Sequence, residues 1–302
     1  MFVRSATKSS TGNKVKSKPE EAPEPKFPIR EYDYIEGRNY RQPNPNKNEL
    51  LPCDDEEIER LEINHLCHKI TFLDLEEQFK KGIRALDVGC GPGWWMREMA
   101  ESYPSSHFTG VDNMIYPISN PPINCHFRIA DASKGLPFPD NTFDYVSQRD
   151  RLWRLTRLEW DTVINEMIRV TKPGGWLEFS KLTLLSSNFV LSPKFKYSGI
   201  KWRSIAPQLP RMLSATDKVT ELQHSYRSIP IGWLGKAGDI MLECTERMFD
   251  SMKPRLCEDW SMGLAKYDKV VQAAAKECRD FKSWTNVHYV YCRKKLEGEE
   301  TE

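Results

Sequence analysis

The sequence lacks any apolar run approaching the ~20 residues that a membrane-spanning helix needs, which argues against a membrane-embedded chain. It also lacks net charge: 44 lysines and arginines stand against 43 aspartates and glutamates, leaving +1. So balanced a chain offers no basic footprint for nucleic acid or for an anionic membrane surface. Its eight cysteines form no Cys-x-x-Cys pair and no ligand spacing with the six histidines. Neither a structural zinc site nor a thiol redox motif is therefore expected. There is no apolar signal-peptide core near Met1. Free thiols in a reducing intracellular compartment, cytoplasmic or nuclear, are the plain expectation. No internal repeat is visible.

What is present divides by composition. Residues 1 to about 31 are rich in Lys, Ser, Pro and Glu, as in "SSTGNKVKSKPEEAPEPKFP", and nearly free of large apolar side chains. Such a segment cannot bury enough surface to offset its ordering entropy, so it reads as a disordered tail. Its first 19 residues contain no acid but carry Arg4, Lys8, Lys14, Lys16 and Lys18. A solvated tail is the main reading, with a mitochondrial presequence or a weak nuclear signal as alternatives. Residues 32–80 read as an N-terminal arm and helix, and 296–302 as an acidic C-terminal tail. Within the arm, Asp54 to Glu57 suit the first turn of a helix, where the macrodipole favours negative charge. Ile58, Leu61, Leu66 and Ile70 then give a partly helical apolar pattern. His65, Cys67 and His68 lie together, but no second ligand cluster exists to complete a metal site, so packing or solvent contact is expected.

From residue 83 strands alternate with helices. "IRALDVG" reads as a strand buried on both faces and "WWMREMAESY" as the helix after it. "HFTGVD", "CHFRIAD" and "FDYVSQ" read as strands two to four. "TRLEWDTVINEMIRVT" carries a capping box, Thr156 with Glu159, and places Trp160, Val163, Ile164, Met167 and Thr171 on one face. "KPGG" stops that helix and "WLEFSKL" makes a fifth strand. Strands joined by helical crossovers imply a doubly wound, mostly parallel α/β sheet.

In such sheets ligands bind beyond the carboxyl ends of the strands. Gly89, Gly91 and Gly93 follow the first strand directly, where a glycine turn lets backbone approach a ligand that any Cβ would block. The dinucleotide fingerprint would need its third glycine at position 94, which is tryptophan. An indole there also removes the open helix N-terminus that holds a pyrophosphate. The spacing therefore points to a nucleoside without phosphates. Asp112 ends strand two, where a carboxylate can accept both ribose hydroxyls, and Asp131 ends strand three, where it can accept from an adenine amino group. Acids at strand ends also serve as helix caps; the glycine loop with two successive acids is the stronger signal.

"ALDVGCGPG", "FTGVD", "IADASKGLPFPDNTFDYV" and "VTKPGGWLEF" resemble the successive motifs of the class I S-adenosylmethionine-dependent methyltransferases. "LLPCDDEEIERLEINH", "IPIGWLGKAGDIM" and "NVHYVYCRKK" resemble the fungal LaeA-like branch, and the likeness covers roughly residues 38 to 295. It implies a Rossmann-like methyltransferase domain over 81–295, with a doubly wound, mostly parallel seven-stranded sheet, an N-terminal helical arm and helical insertions after strand five. "TNVHYVYCRK" fits the antiparallel last strand that the resemblance implies. The resemblance further implies S-adenosyl-L-methionine as cofactor. Asp87 and the backbone of Gly89, Cys90 and Gly91, with Gly93 closing the loop, would hold its methionine end. Asp112 would bind the ribose, with Asn113 and Met114 beside the adenine. Asp131 and Ala132 would read the adenine edge, and Gln148 would line the pocket near the methionine. Arg38 and Tyr40 of the arm would close over it. Cys53 departs from the asparagine usual in the branch, and "DNMIYP" from its commoner Asp-Ile-Ser-Pro run.

The implied chemistry is direct displacement at the sulfonium methyl, with no catalytic dyad required. An Asn/Asp-Pro-Pro-Tyr run, the mark of amide or exocyclic amino methylation, is absent after strand four; "SQRDRLWRLTR" stands there instead. Arg149, Arg151, Arg154 and Arg157 read as a solvated helix face, or alternatively as contacts to an acidic substrate. Trp94 and Trp95 either pack the first helix or present a π-face to the sulfonium. Residues 184–283 are the expected substrate or lid region. Two stripes within it, Ile240, Met241, Cys244, Met248 and Met252, then Trp260, Leu264, Tyr267 and Val271, read as core. The expected partners are a methyl acceptor, small molecule or protein, and a regulatory protein. A methyltransferase-like regulator with weak turnover is the alternative function, and a nicotinamide oxidoreductase a distant third.

Overall fold

The computed structural model describes residues 32–41, 50–67, 75–114, 116, 120–149, 155–183 and 205–299. The proposed tail at 1–31, Ile70, Arg151, Arg154 and most of the basic aromatic insertion lie outside these residues. So do the last three residues of the chain.

The arm opens not with a helix but with an antiparallel hairpin, β1 (Tyr32–Ile35) and β2 (Arg38–Arg41). Helix α1 (Asp55–Cys67) follows, with Asp55, Glu56 and Glu57 in its first turn. Asp54 caps it: Oδ1 accepts from the Glu57 amide at 3.1 Å. The same carboxylate takes a bidentate pair from Arg38, at 2.7 and 2.8 Å, which clamps the hairpin to the helix start. After α2 (Glu76–Lys81) come β3 (Arg84–Val88), α3 (Trp94–Ser102), β4 (His107–Asp112), β5 (Cys125–Ile129) and β6 (Phe143–Arg149).

Helix α4 (Arg157–Val170) carries the expected capping box. Thr156 Oγ1 accepts from the Glu159 amide at 3.3 Å, and Glu159 Oε2 accepts from the Thr156 amide at 2.7 Å. Trp160, Val163, Ile164 and Met167 are buried, each such side chain contributing ~1.5–3 kcal/mol of burial. The helix ends at Val170 and the chain enters β7 (Thr171–Thr183) directly. Pro173 cannot continue a helix. Gly175 is needed where a Cβ would meet the Asp144 carbonyl oxygen at 2.9 Å.

The remaining elements are α5 (Leu209–Ser214), β8 (Val219–Pro230), α6 (Lys236–Asp259), α7 (Leu264–Asp280) and β9 (Trp284–Lys294). Seven strands form one sheet in the order β5-β4-β3-β6-β7-β9-β8. The first five are parallel, and β9 runs antiparallel between β7 and β8. The order reverses between β3 and β6, so the switch point lies at the mouth of β3.

Strand alternation sorts the core. Leu86, Val88 and Val146 face α4 and α5, packing on Trp160, Ile164 and Met212. Ala85 and Tyr145 face the other side, against Phe79 of α2 and Trp95 and Met96 of α3. Asp87 therefore leaves β3 on the α3 side. The two stripes after residue 236 are core, as expected: Met241, Met248 and Met252 of α6 pack on Tyr267 of α7. Leu264, however, is exposed, and Trp260 caps the end of α6 rather than joining α7.

Candidate functional site

Three left-handed glycines build the loop after β3: Gly89, Gly91 and Gly93 have φ of 79°, 54° and 77°. L-residues pay for that region, so alternate glycines let the chain curl over the strand end without strain. The amides of Gly89 and Cys90 both donate to the Val111 carbonyl, at 2.7 and 3.1 Å, pinning the loop to β4. Beneath it, a Cβ on Gly110 would meet Met96 Sδ and Cys90 Sγ, so a glycine in "FTGVD" is what lets the loop seat. By contrast, a Cβ on Gly91 would meet nothing within 4 Å. That glycine faces open space.

Asp112, at the end of β4, ties this loop to the next turn. Its Oδ2 accepts from the Gly91 amide at 3.1 Å and its Oδ1 from the Met114 amide at 3.1 Å. The Asp112 carbonyl accepts from Ala130 at 2.9 Å, bringing the end of β5 alongside. There Asp131 caps the 3₁₀ turn Ala132–Lys134, accepting from the Ser133 amide and hydroxyl at 3.1 and 2.7 Å. The capping role is thus present in the structure, whatever else Asp131 does.

The open space is a cleft that, counted with its open mouth, holds about 540 Å³. The glycine loop lines it with Asp87, Gly89, Cys90, Gly91 and Pro92; α3 adds Trp94 and Trp95, β6 adds Arg149, and α1 adds Leu61, Asn64 and His65. His65 Nε2 lies 3.2 Å from Glu98 Oε2 on α3, linking the arm helix to the cleft wall. Asp87 is 3% exposed. Burial pushes its carboxyl above the usual carboxylate range, opposed by the Arg149 guanidinium and by the Ser147 hydroxyl, which donates at 3.3 Å. Arg149 stands over the Trp95 ring, 4.8 Å from its centroid. Burial likewise raises the Cys90 thiol well above its ordinary value, so a protonated thiol faces the loop.

Of the residues expected at the site, Asp87, Gly89, Cys90 and Gly91 line the cleft. Asp112 and Met114 are joined to it through Gly91, with Asn113 between them; Gly93 caps α3. Ala132 is fully buried in the core on the α4 side, and Gln148 is fully buried in β6 with neither amide atom hydrogen-bonded. Arg38 and Tyr40 do not line the cleft. Arg38 holds Asp54, and the Tyr40 hydroxyl donates to the Ser251 carbonyl at 2.7 Å, so this part of the arm docks on α6. Arg149 was expected on a solvated helix face and instead ends β6 in the cleft. Leu61, Asn64 and His65 were not expected there; no local signal says that α1 shares the cleft with the glycine loop.

The residues fit a nucleoside-bearing ligand with a charged end. Gly91 leaves the space that backbone contact needs, and the buried Nε1 atoms of Trp94 and Trp95 and Nε of Arg149 have no hydrogen-bond partner. Buried polar groups without partners are rare in folded proteins and call for an occupant. Among the described residues no cluster of three metal-ligating side chains exists, Cys53, Cys90, Cys125, Cys244, Cys257, Cys278 and Cys292 are free thiols, and no helix is long and apolar enough to cross a membrane.

Residues 85–175 match the family described as "Methyltransferase domain". Over 163 residues the chain is 34% identical to the demethylmenaquinone methyltransferase of Anoxybacillus flavithermus, covering 50% of this chain and 65% of that one. It is 33% identical over 134 residues to the methyltransferase str3 of Strobilurus tenacellus, covering 42% and 46%. It is 29% identical over 132 residues to the secondary metabolism regulator laeA of Aspergillus niger, covering 42% and 35%. The matches thus span between 35% and 65% of the length of these relatives.

Proposed function

We infer that this chain, a class I S-adenosylmethionine-dependent methyltransferase resembling the LaeA branch, transfers a methyl group to an acceptor by direct displacement. Its cofactor, S-adenosyl-L-methionine, supplies when bound a methyl group already activated on a sulfonium. The protein's part is then to bind, align and exclude water, which in favourable cases supplies ~7–11 kcal/mol of the barrier. Asp87 and the backbone of Gly89 to Gly91 hold the methionine end. Asp112 accepts the ribose hydroxyls, Asn113 and Met114 flank the adenine, and Asp131 and Ala132 take its edge. Gln148, buried and without partners, faces the same end of the sheet. The single observation that supports this most is the Asp112 carboxylate holding the Gly91 amide beside open space.

The acceptor is a small molecule or a protein. A regulator with weak turnover, working through a protein partner, is the second reading, favoured by the likeness to a relative named a secondary metabolism regulator. Titration with S-adenosylhomocysteine and NAD tests the cofactor: binding of NAD alone overturns both readings. Transfer of labelled methyl from S-adenosylmethionine into fractionated lysate separates them, since no labelled product with a cofactor-binding protein overturns the first.

A further inference from the structure

Three large apolar side chains stand in solvent where two turns meet, and none of them lines the cleft. Leu234 and Phe281 are 75% and 76% exposed, and Trp284 is 51% exposed. One turn joins β8 to α6 and the other joins α7 to β9. The Ser283 carbonyl ties them together, accepting from the Ile231 amide at 3.0 Å and from the Trp233 indole N–H. Single exposed apolar residues are ordinary, but three gathered at one junction mark a contact surface. The backbone is strained at the same place. Leu234 has φ of 64°, between Gly232 at 75° and Gly235 at 81°, and Lys282 has φ of 50°. A leucine in the left-handed region is uncommon, and strain of this kind gathers at functional positions.

Positive charge surrounds these side chains. Lys236, Arg279 and Lys282 are exposed, and none forms an ion pair among the described residues. Asp280, beside Arg279, is held by Lys276 at 2.6 Å, and Asp239 is the acid in the first turn of α6. The whole chain carries only +1, so the excess is local to this corner. A second copy would bring the same cations face to face, which opposes self-association. Lysine is depleted in protein interfaces. Lysine and arginine around Trp, Phe and Leu suit instead the boundary of an anionic bilayer.

We propose that this corner seats the protein on an anionic lipid surface. Leu234, Phe281 and Trp284 enter the headgroup region while Lys236, Arg279 and Lys282 meet the lipid phosphates and carboxylates. The contact is peripheral, made by the side chains of two turns. It does not depend on the cofactor reading, because none of these residues lines the cleft.

The test is co-sedimentation of the full chain with vesicles of phosphatidylcholine alone and of equal parts phosphatidylcholine and phosphatidylserine. Wild type is expected to bind the mixed vesicles, and to leave them as salt rises. Lys282→Gln should weaken that binding about fivefold, the effect of one cation at an anionic surface. Leu234→Asn combined with Phe281→Ser should weaken it about tenfold or more. Asparagine tolerates the left-handed region and Phe281 is mostly exposed, so this double variant keeps the fold, which circular dichroism checks. Wild type that ignores the mixed vesicles overturns the proposal, as does a double variant that binds them as wild type does. Equal binding to both vesicle types also overturns it, since the cations would then play no part. A wild-type dimer that the double variant dissolves, without vesicle binding, would assign the corner to a second copy instead.

Discussion

The Asp112 carboxylate accepts a hydrogen bond from the Gly91 amide at 3.1 Å, across the gap between the end of β4 and the loop after β3. One acid thus holds the loop and keeps lone pairs for a ribose. Asp112→Ala is expected to weaken S-adenosylhomocysteine by roughly 1.5–3 kcal/mol per hydrogen bond lost, and to loosen the Gly91 amide as well. Asp112→Asn, which keeps one acceptor oxygen, should fall between. Calorimetric titration of the three proteins checks this; wild-type affinity in the alanine variant, with unchanged circular dichroism, would show that the acid serves the loop alone.

Gly91 allows a sharper test. Nothing lies within 4 Å of a Cβ there, but its φ of 54° is left-handed. A valine would therefore cost ~1–2 kcal/mol in backbone strain even with room to spare. Asparagine tolerates that region, so Gly91→Asn fills the space and spares the fold. The variant should melt within a few degrees of wild type yet show no upward shift with S-adenosylhomocysteine. Wild type should gain roughly 2.7 kcal/mol at a hundredfold excess over Kd. A normal melt with a normal shift would mean that the ligand lies elsewhere.

Where the sequence was legible, a strong local signal agreed with the tertiary environment. The β4 strand, the α4 capping box and the left-handed glycine loop are each specified within a few residues. Strand β8 was not legible: "VTELQHSYRSIP" lies at the sheet edge, and Gln223 to Ser228 are exposed on both faces, so no apolar alternation marks it. The hairpin β1–β2 was missed for a similar reason, being four residues a side. At the site, strand-end residues could be placed by topology. Arg149 and His65 could not, since their roles depend on where β6 stops and on α1 lying beside α3.

Asp87 gives a pH signature. Burial raises its folded pKa above its ordinary 3.8. The stability it contributes is thus fully present below about pH 3.8 and is lost as pH rises through the raised folded value. At neutral pH the unliganded protein bears that cost in full. Asp87→Asn removes the titration, so the variant should melt higher than wild type at pH 7, with the two curves converging towards pH 4. Melting temperatures across that range check it. Identical profiles would place the Asp87 charge in a solvated setting that its 3% exposure contradicts.

Tyr40 separates a packing role from a ligand role in the arm. Its ring is fully buried, its hydroxyl donates to the Ser251 carbonyl on α6, and Arg255 lies over the ring at 5.3 Å. Removing the hydroxyl leaves a buried acceptor with one bond fewer, at a cost of about 0.5–1.5 kcal/mol. Tyr40→Phe should therefore lower the melting temperature by a few degrees. Removing the ring in Tyr40→Ala should cost ~3–5 kcal/mol, as for other large aromatic truncations. In neither should S-adenosylhomocysteine affinity change beyond the fraction of protein left folded, because the residue binds α6 and not the cleft. A phenylalanine variant that melts as wild type does but loses the ligand would return Tyr40 to the site and overturn this assignment.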